Sequence, residues 1–305
     1  LSEDNIDDLT KEKKLLVSLH QSLYPWLYQD HFKSLGNIIN SSHGKGLVIC
    51  TGDKHFKYAR STIDSLRNVL HCDLPIEIIY NGEYDLSYTN RDIISEFNDV
   101  YLTDISDYFD KKIVNISGWA IKPYALLASR FEEIILIDAD VVYLRDPKEL
   151  FEDEGYIKTG TLFFRDRTIN PGPHPGSEWL RSWMTNPLPE TKDLRFYNEE
   201  TMHEMESSTV VLNKTKNILG LLATCKLNEK RIREDVVYKY VYGDKETFWI
   251  GFDMARQHYN LNSVPCTYIG KVIENSEGKR ICGHIGHMLK NGKFMFWNGH
   301  VVKNK

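Results

Sequence analysis

Apolar residues along this chain follow two rhythms. Leu9, Leu15, Leu16, Leu19 and Leu23 recur at roughly helical spacing, which predicts an amphipathic helical lead-in over the first 35 residues. The polar loop Asn40-Ser41-Ser42-His43-Gly44-Lys45-Gly46 then releases the chain into Leu47-Val48-Ile49-Cys50, an unbroken apolar run that reads as a buried strand ended by Thr51-Gly52. A helix is predicted from about His55 to Leu70. Pro75 opens a second strand, Ile76 to Tyr80, which Asn81-Gly82 stops, and Val100-Tyr101-Leu102 is a short third. A helix around Ala120 to Arg130 leads into Ile134-Ile135-Leu136-Ile137. The continuous apolar character of that run suits a central parallel strand covered on both faces.

Farther on, Gly160-Thr-Leu-Phe-Phe and Ser208-Thr-Val-Val-Leu read as strands. A Pro-rich loop from Asn170 to Gly176 and a helix bearing Trp179 and Trp183 lie between them. Strands alternating with helices imply βαβ units, an α/β class and a central, mostly parallel sheet flanked by helices. With no internal repeat, low-complexity tract or linker, the expectation is a lead-in over 1–45 and a single catalytic domain over 46–305. Ligands of such sheets bind at the carboxyl ends of the strands, where the strand order switches.

Composition narrows the function classes. A formal net charge of −5 argues against a general nucleic-acid binder with a broadly basic face, though a local basic group is enough for a nucleotide diphosphate. No stretch approaches the roughly 18–20 apolar residues that cross a bilayer. The chain opens on Leu rather than Met, so an N-terminal anchor or signal upstream stays open. Five cysteines show neither a CxxC pair nor zinc spacing, and an odd count leaves at least one unpaired in the chain. Cys50 reads as a small buried hydrophobe, whereas Cys266 and Cys282 flank an expected hairpin and are candidates for a bridge. The sequons at Asn40, Asn115 and Asn213 permit glycosylation if the chain enters the secretory pathway.

The candidate chemistry starts at Asp138-Ala139-Asp140, at the carboxyl end of the most apolar strand. In an extended segment residues i and i+2 point the same way, so both carboxylates would address one point. Like charges that close need neutralising, and a hard divalent cation takes carboxylate and phosphate oxygens together. Small Ala139 would let a bulky ligand approach the backbone. A strand-end Asp followed by a turn-capping Asp is the structural alternative. Asp-Ala-Asp-Val-Val also fits the catalytic loop of haloacid-dehalogenase-like phosphatases, in which the first Asp is a nucleophile and the second a general acid. That loop follows the first strand of its fold, and here three strand-like runs come before the motif.

Five blocks in fixed order carry a resemblance. They are Gly118-Trp-Ala-Ile-Lys-Pro-Tyr-Ala-Leu-Leu-Ala-Ser, Glu133-Ile-Ile-Leu-Ile-Asp-Ala-Asp-Val-Val-Tyr-Leu-Arg-Asp-Pro, Thr159-Gly-Thr-Leu-Phe-Phe-Arg-Asp-Arg, Glu206-Ser-Ser-Thr-Val-Val-Leu-Asn-Lys and Gly243-Asp-Lys-Glu-Thr-Phe-Trp-Ile-Gly-Phe. The set resembles the fungal Golgi α-1,3-mannosyltransferases that cap N- and O-linked mannans, from about Gly46 to Lys305. The resemblance implies a GT-A-like fold, GDP-mannose as donor, Mn²⁺ as cofactor and a mannosylated glycan as acceptor. It also implies a type II membrane protein of the Golgi lumen, anchored upstream of this chain.

Within that resemblance the residues take expected roles. Asp138 and Asp140 hold Mn²⁺ against the diphosphate, with the third ligand sought in Cys282-Gly-His284-Ile-Gly-His287. The two histidines are three apart, so on a strand they face opposite sides and one binds, His284 for preference; both also read as hydrogen-bonded loop residues. Thr51 and Gly52 touch the nucleoside or ribose, with Tyr80 in the same crevice. Lys122 pairs with phosphate or is a solvated helix lysine, and Trp119 packs beside the base or fills core. Asp244, Glu246 and Glu206 are candidate catalytic carboxylates, although the first two equally suit a helix start. Trp249 is expected to offer an acceptor sugar an apolar platform. An α donor and an α product mean retained configuration, through same-face attack or a covalent carboxylate adduct.

Overall fold

The computed structural model describes residues 3–28, 31–106, 108–275 and 278–299. Six strands build the main sheet: β1 (Lys45–Cys50), β2 (Ile76–Tyr80), β3 (Val100–Asp104), β4 (Glu133–Asp138), β6 (Thr161–Arg165) and β7 (Met205–Asn213), in the order β3-β2-β1-β4-β7-β6. The pairings β1 with β2, β1 with β4 and β2 with β3 are parallel, while β7 runs antiparallel to both β4 and β6. The expected α/β class with a mostly parallel central sheet is what forms. Its consequence for function is geometric. The carboxyl ends of β1 to β4 and β6 share one edge with the amino end of β7, so Thr51, Tyr80, Asp138, Glu206 and Asp166 all arrive there.

Alternating residues of the buried strands feed two cores, one on each face of the sheet. Val48, Ile134, Leu136, Val210 and Leu212 join one, and Leu47, Ile49, Ile135, Ile137 and Val211 the other. Covering both faces is why these strands read as continuous apolar runs. The lead-in helix spans Glu3–Leu23, shorter than the 35 residues expected. Beyond it Trp26 and Leu27 are fully buried, and the Trp26 ring meets Phe109 and Tyr124 edge-on at 5.5 and 5.3 Å. Packing therefore crosses residue 45 without a break. The helix expected over 55–70 forms as Phe56–Asp64 and widens into a π turn at Ser65–Val69.

A second sheet, order β5-β10-β9-β8, is antiparallel throughout and comprises β5 (Val141–Tyr143), β8 (Thr267–Asn275), β9 (Gly278–Met288) and β10 (Phe294–Asn298). The expected hairpin places Cys282 opposite Lys271, while Cys266 precedes Thr267, which faces Gly286. Four intervening positions at about 3.4 Å each keep the two sulfurs far beyond bridging range. Both cysteines are free, which corrects the candidate bridge.

Trp249 also departs from expectation. The helix Lys245–Met254 is buried at every position from Glu246 to Asp253, with Trp249 fully enclosed. A helix buried on all sides is a core helix. The indole Nε1 donates to Glu246 Oε2 at 2.6 Å, and its ring meets Phe196 at 5.8 Å. It cannot offer a face to a sugar. Trp249→Ala is expected to cost about 3–5 kcal/mol of stability in chemical denaturation. A variant of parental stability that had lost only acceptor affinity would show this assignment to the core to be wrong.

Candidate active site

At the shared edge β4 ends on Asp138, and the chain turns at Ala139–Asp140 before entering β5. The same-side argument for the two carboxylates required an extended backbone through Asp140; the structure replaces it with a turn. Thr62 Oγ1 pins that turn by donating to the carbonyls of Ala139 at 2.8 Å and Val141 at 3.3 Å. Ala139 is buried with its carbonyl occupied, so it is a spacer and not an opening to a ligand. Asp140 keeps partial exposure, and its own carbonyl accepts from Gly299 N–H at 3.2 Å.

Lys122 is not a phosphate-facing or solvated lysine here. It is buried, and Nζ lies 2.8 and 3.0 Å from the two Asp138 oxygens while donating to the Ser207 carbonyl at 2.9 Å. The ammonium therefore ties the helix Ile121–Ala128 to the ends of β4 and β7. Burial alone would depress the Lys122 ammonium, but Asp138, Asp244 and Glu206 more than offset it and hold the group charged. Burial pushes the Asp138 carboxyl up to about 6; Lys122 opposes the shift, and Glu206 and Asp244 add to it. One ammonium faces three carboxyls. Lys245 adds to the pull on Asp244, and His287 to the pull on Glu206.

The three candidate catalytic carboxylates separate cleanly. Glu246 is fully buried and accepts from the backbone N–H groups of Glu204 at 2.9 Å and Met205 at 3.3 Å, besides Trp249. Burial raises it to about 7. It braces the entry to β7 and reaches no ligand. Glu206 is committed on both oxygens: Oε1 accepts from Ser208 N–H and Asn298 Nδ2, both at 2.9 Å, and Oε2 from Ser208 Oγ at 2.6 Å. Burial would raise its pKa, yet His287, Ser208 and Lys122 outweigh that and hold it below the usual range. Asp244 differs from both. It is buried, its pKa is raised by burial against the pull of Lys122, and its Oδ2 has no hydrogen-bond partner.

The two histidines fall on opposite faces of β9, as their spacing predicted. His287 turns inward between Phe164 and Phe296, at ring distances of 5.3 and 4.8 Å, with Nε2 3.4 Å from Glu206 Oε2. His284 is partly exposed, and its imidazole fills the place where a Cβ on Gly299 would stand. Because Gly299 also donates to the Asp140 carbonyl, that glycine seats His284 beside the Asp140 turn. Among the described residues no group of three or more His, Cys, Asp or Glu side chains is placed to hold a metal ion.

On the nucleotide side the structure qualifies the expectations. Gly52 is required by the close pass of Asp85, whose side chain a Cβ would strike, so its space is already taken. Thr51 is buried at the end of β1, and Tyr80 is buried with its hydroxyl accepting from Arg91 Nη1 at 3.3 Å. Sequence reasoning missed Ser207, Asn298, Gly299 and the ion pair of Lys245 with Asp166 at 2.5 Å, to which His203 adds at 3.6 Å from the same oxygen. Ser207 and Asp166 did lie inside blocks singled out earlier, Glu206-Ser-Ser and Phe-Phe-Arg-Asp-Arg.

Residues 44–289 match the family model described as "Mannosyltransferase putative". Among curated relatives, "Putative alpha-1,3-mannosyltransferase MNN14" of Candida albicans is 30% identical over 86% of this chain and 43% of its own length. "Alpha-1,3-mannosyltransferase MNT3" of Saccharomyces cerevisiae is 29% identical over 85% of this chain and 46% of its own. The chain thus spans less than half the length of these two relatives. A solved structure, the mannosyltransferase Ktr4p of S. cerevisiae in complex with GDP, aligns over 81% of this chain and 78% of its own at 10% identity, with a TM-score of 0.43.

The Lys122 bridge makes a testable claim on stability. Lys122→Met leaves Asp138 against two further carboxyls. It is expected to cost about 2–4 kcal/mol in urea denaturation at pH 7, somewhat under a fully buried pair because Asp138 keeps 29% side-chain exposure. Adding Asp138→Asn to that variant should recover most of the loss. A single variant within about 0.5 kcal/mol of the parent would mean that the ammonium holds nothing together.

Proposed function

The chain belongs to the mannosyltransferase family, and from that premise we propose that it moves mannose from GDP-mannose onto a mannose-terminated glycan in α-1,3 linkage, with Mn²⁺ and retention of configuration. One observation carries the reading: Asp138 stops β4 at the edge where the parallel strands end, and Asp244 and Glu206 gather with it round the buried Lys122 ammonium. Asp138 and Asp140 are the residues the reading gives to the cation, with His284 as the further ligand; in the structure the three do not stand together as a metal-holding group. When bound, Mn²⁺ supplies the positive charge that a departing diphosphate needs. Thr51 and Tyr80, at the ends of β1 and β2, mark the nucleoside side of the cleft.

The protein's own groups favour same-face attack over a covalent adduct. Glu206 and Glu246 have both oxygens engaged by fixed donors, which leaves neither a free nucleophile. Asp244 alone of the three retains an oxygen without a partner and is the group assigned to a sugar hydroxyl. Lys122 acts by fixing Asp138, not by touching phosphate. Membership of the family further supports a Golgi-lumen setting with an anchor upstream; among the described residues no helix is long and apolar enough to cross a membrane.

The test is GDP release from GDP-mannose with and without Mn²⁺ and an added mannoside, with linkage analysis of the product. Asp138→Asn and Asp140→Asn are each expected to lower transfer at least about 100-fold while near-UV circular dichroism stays parental. Phosphomonoester hydrolysis in place of transfer would overturn the reading. So would unchanged turnover after removal of divalent cations. A mannosyl adduct trapped on Asp244 would replace same-face attack with the covalent route.

A further inference from the structure

Two aromatic rings beside the carboxylate cluster have no role in the account so far. Trp119 lies in the short turn Gly118–Ala120 that leads into the helix bearing Lys122, and Tyr242 comes two residues before Asp244. Their rings lie 5.3 Å apart at 47°, and they remain 51% and 61% exposed. A lone exposed aromatic side chain needs no explanation; a touching pair at the rim of a polar cluster does. Trp119 is therefore neither core nor free.

Both rings are held from behind. Gly243 adopts φ +70°, and a Cβ there would stand 2.9 Å from Trp119 Cε3, so the indole rests on bare backbone. The His203 ring stacks on Tyr242 at 5.7 Å and 29°, and Lys245 Nζ stands 5.7 Å from the centre of the same ring. Asp166, just after β6, holds both His203 and Lys245 through one oxygen. Rings fixed in advance lose little freedom when something docks on them.

The position and chemistry select the ligand. Asp166 and His203 anchor the pair at the β6–β7 end of the edge, whereas Thr51 and Tyr80 end β1 and β2 on the other side of Asp138. A nucleobase at the β1–β2 end and a second ligand at the β6–β7 end would thus meet across Asp138. Two exposed rings, tilted 47° to each other and bordered by a carboxylate, match a pyranose, which shows one face of C–H groups to a ring and a rim of hydroxyls. Asp244, buried with an unpartnered oxygen, supplies the acceptor for such a hydroxyl.

We propose that Trp119 and Tyr242 form the platform for the acceptor sugar, whose ring stacks on them while a hydroxyl donates to Asp244. This rests on the transferase reading and replaces the platform once expected of Trp249. Trp119→Ala and Tyr242→Ala would each raise the KM for mannobiose at least about tenfold under saturating GDP-mannose, with the Kd for GDP within twofold of the parent. Trp119→Phe would recover most of the loss. Mannobiose should also shift the intrinsic fluorescence of the parent but not of Trp119→Ala. A mannobiose KM within twofold of the parent in both alanine variants overturns the platform, as does a loss of GDP affinity in both, which would give the rings to the base. If the parent transfers no mannose, the transferase reading falls separately. Mannobiose binding that Trp119→Ala abolishes would then still support the platform, and no binding would overturn it.

Discussion

The edge of the main sheet depends on one buried ammonium. Lys122 reaches from the helix Ile121–Ala128 to Asp138 at the end of β4 and to the Ser207 carbonyl in β7. Those strands are neighbours running in opposite directions, so Lys122 closes the seam between the parallel and antiparallel parts of the sheet. A charge pair taken out of water gains stability only where further polar groups satisfy it, and the Ser207 carbonyl does so here. The same contact leaves the Asp138 side chain partly exposed, with the carboxyls of Asp244 and Glu206 close by.

The turn after Asp138 has a second consequence. Because β5 follows at once and pairs with β10, Ala139–Asp140 is the hinge by which the main sheet hands the chain to the smaller one. Thr62 clamps the hinge from one side and Gly299 from the other. The smaller sheet in turn brings Asn298 to Glu206 and His284 against Gly299. Residues nearly 160 positions apart are therefore set by the same short turn, and the site is completed by the end of the chain as much as by its middle.

What could be read from sequence follows from which interactions are local. The run Ile134–Ile137 shows as a central strand because burial on both faces leaves no polar alternation, and a strand end at the mouth of such a sheet is where ligands sit. The histidine pair was legible by parity alone. The partner of Lys122 was not, since a helix lysine looks the same whether it meets solvent, phosphate or an aspartate 16 residues away. Glu246 and Trp249 misled for a related reason: an acidic first turn suits a surface helix, and only packing shows that the helix is enclosed. The stretch Thr247-Phe-Trp-Ile-Gly-Phe already lacked a polar face, a signal that outweighs the acidic cap.

Asp244 is where these constraints converge. It stands at the start of an enclosed helix, so the backbone that carries it cannot retreat, and Thr247 N–H secures its carbonyl at 2.9 Å. Its side chain feels the Lys122 ammonium, yet one oxygen is left without a donor. Burying such an oxygen without a donor costs free energy that a hydroxyl donating to it would recover. Gly243 before it permits the turn that lays Trp119 on the backbone, and Tyr242 before that presents its ring. Three consecutive residues thus join the core helix, the charged cluster and the exposed aromatic pair, so a sugar docked on the rings would meet its hydrogen-bond acceptor at a fixed distance from Asp138.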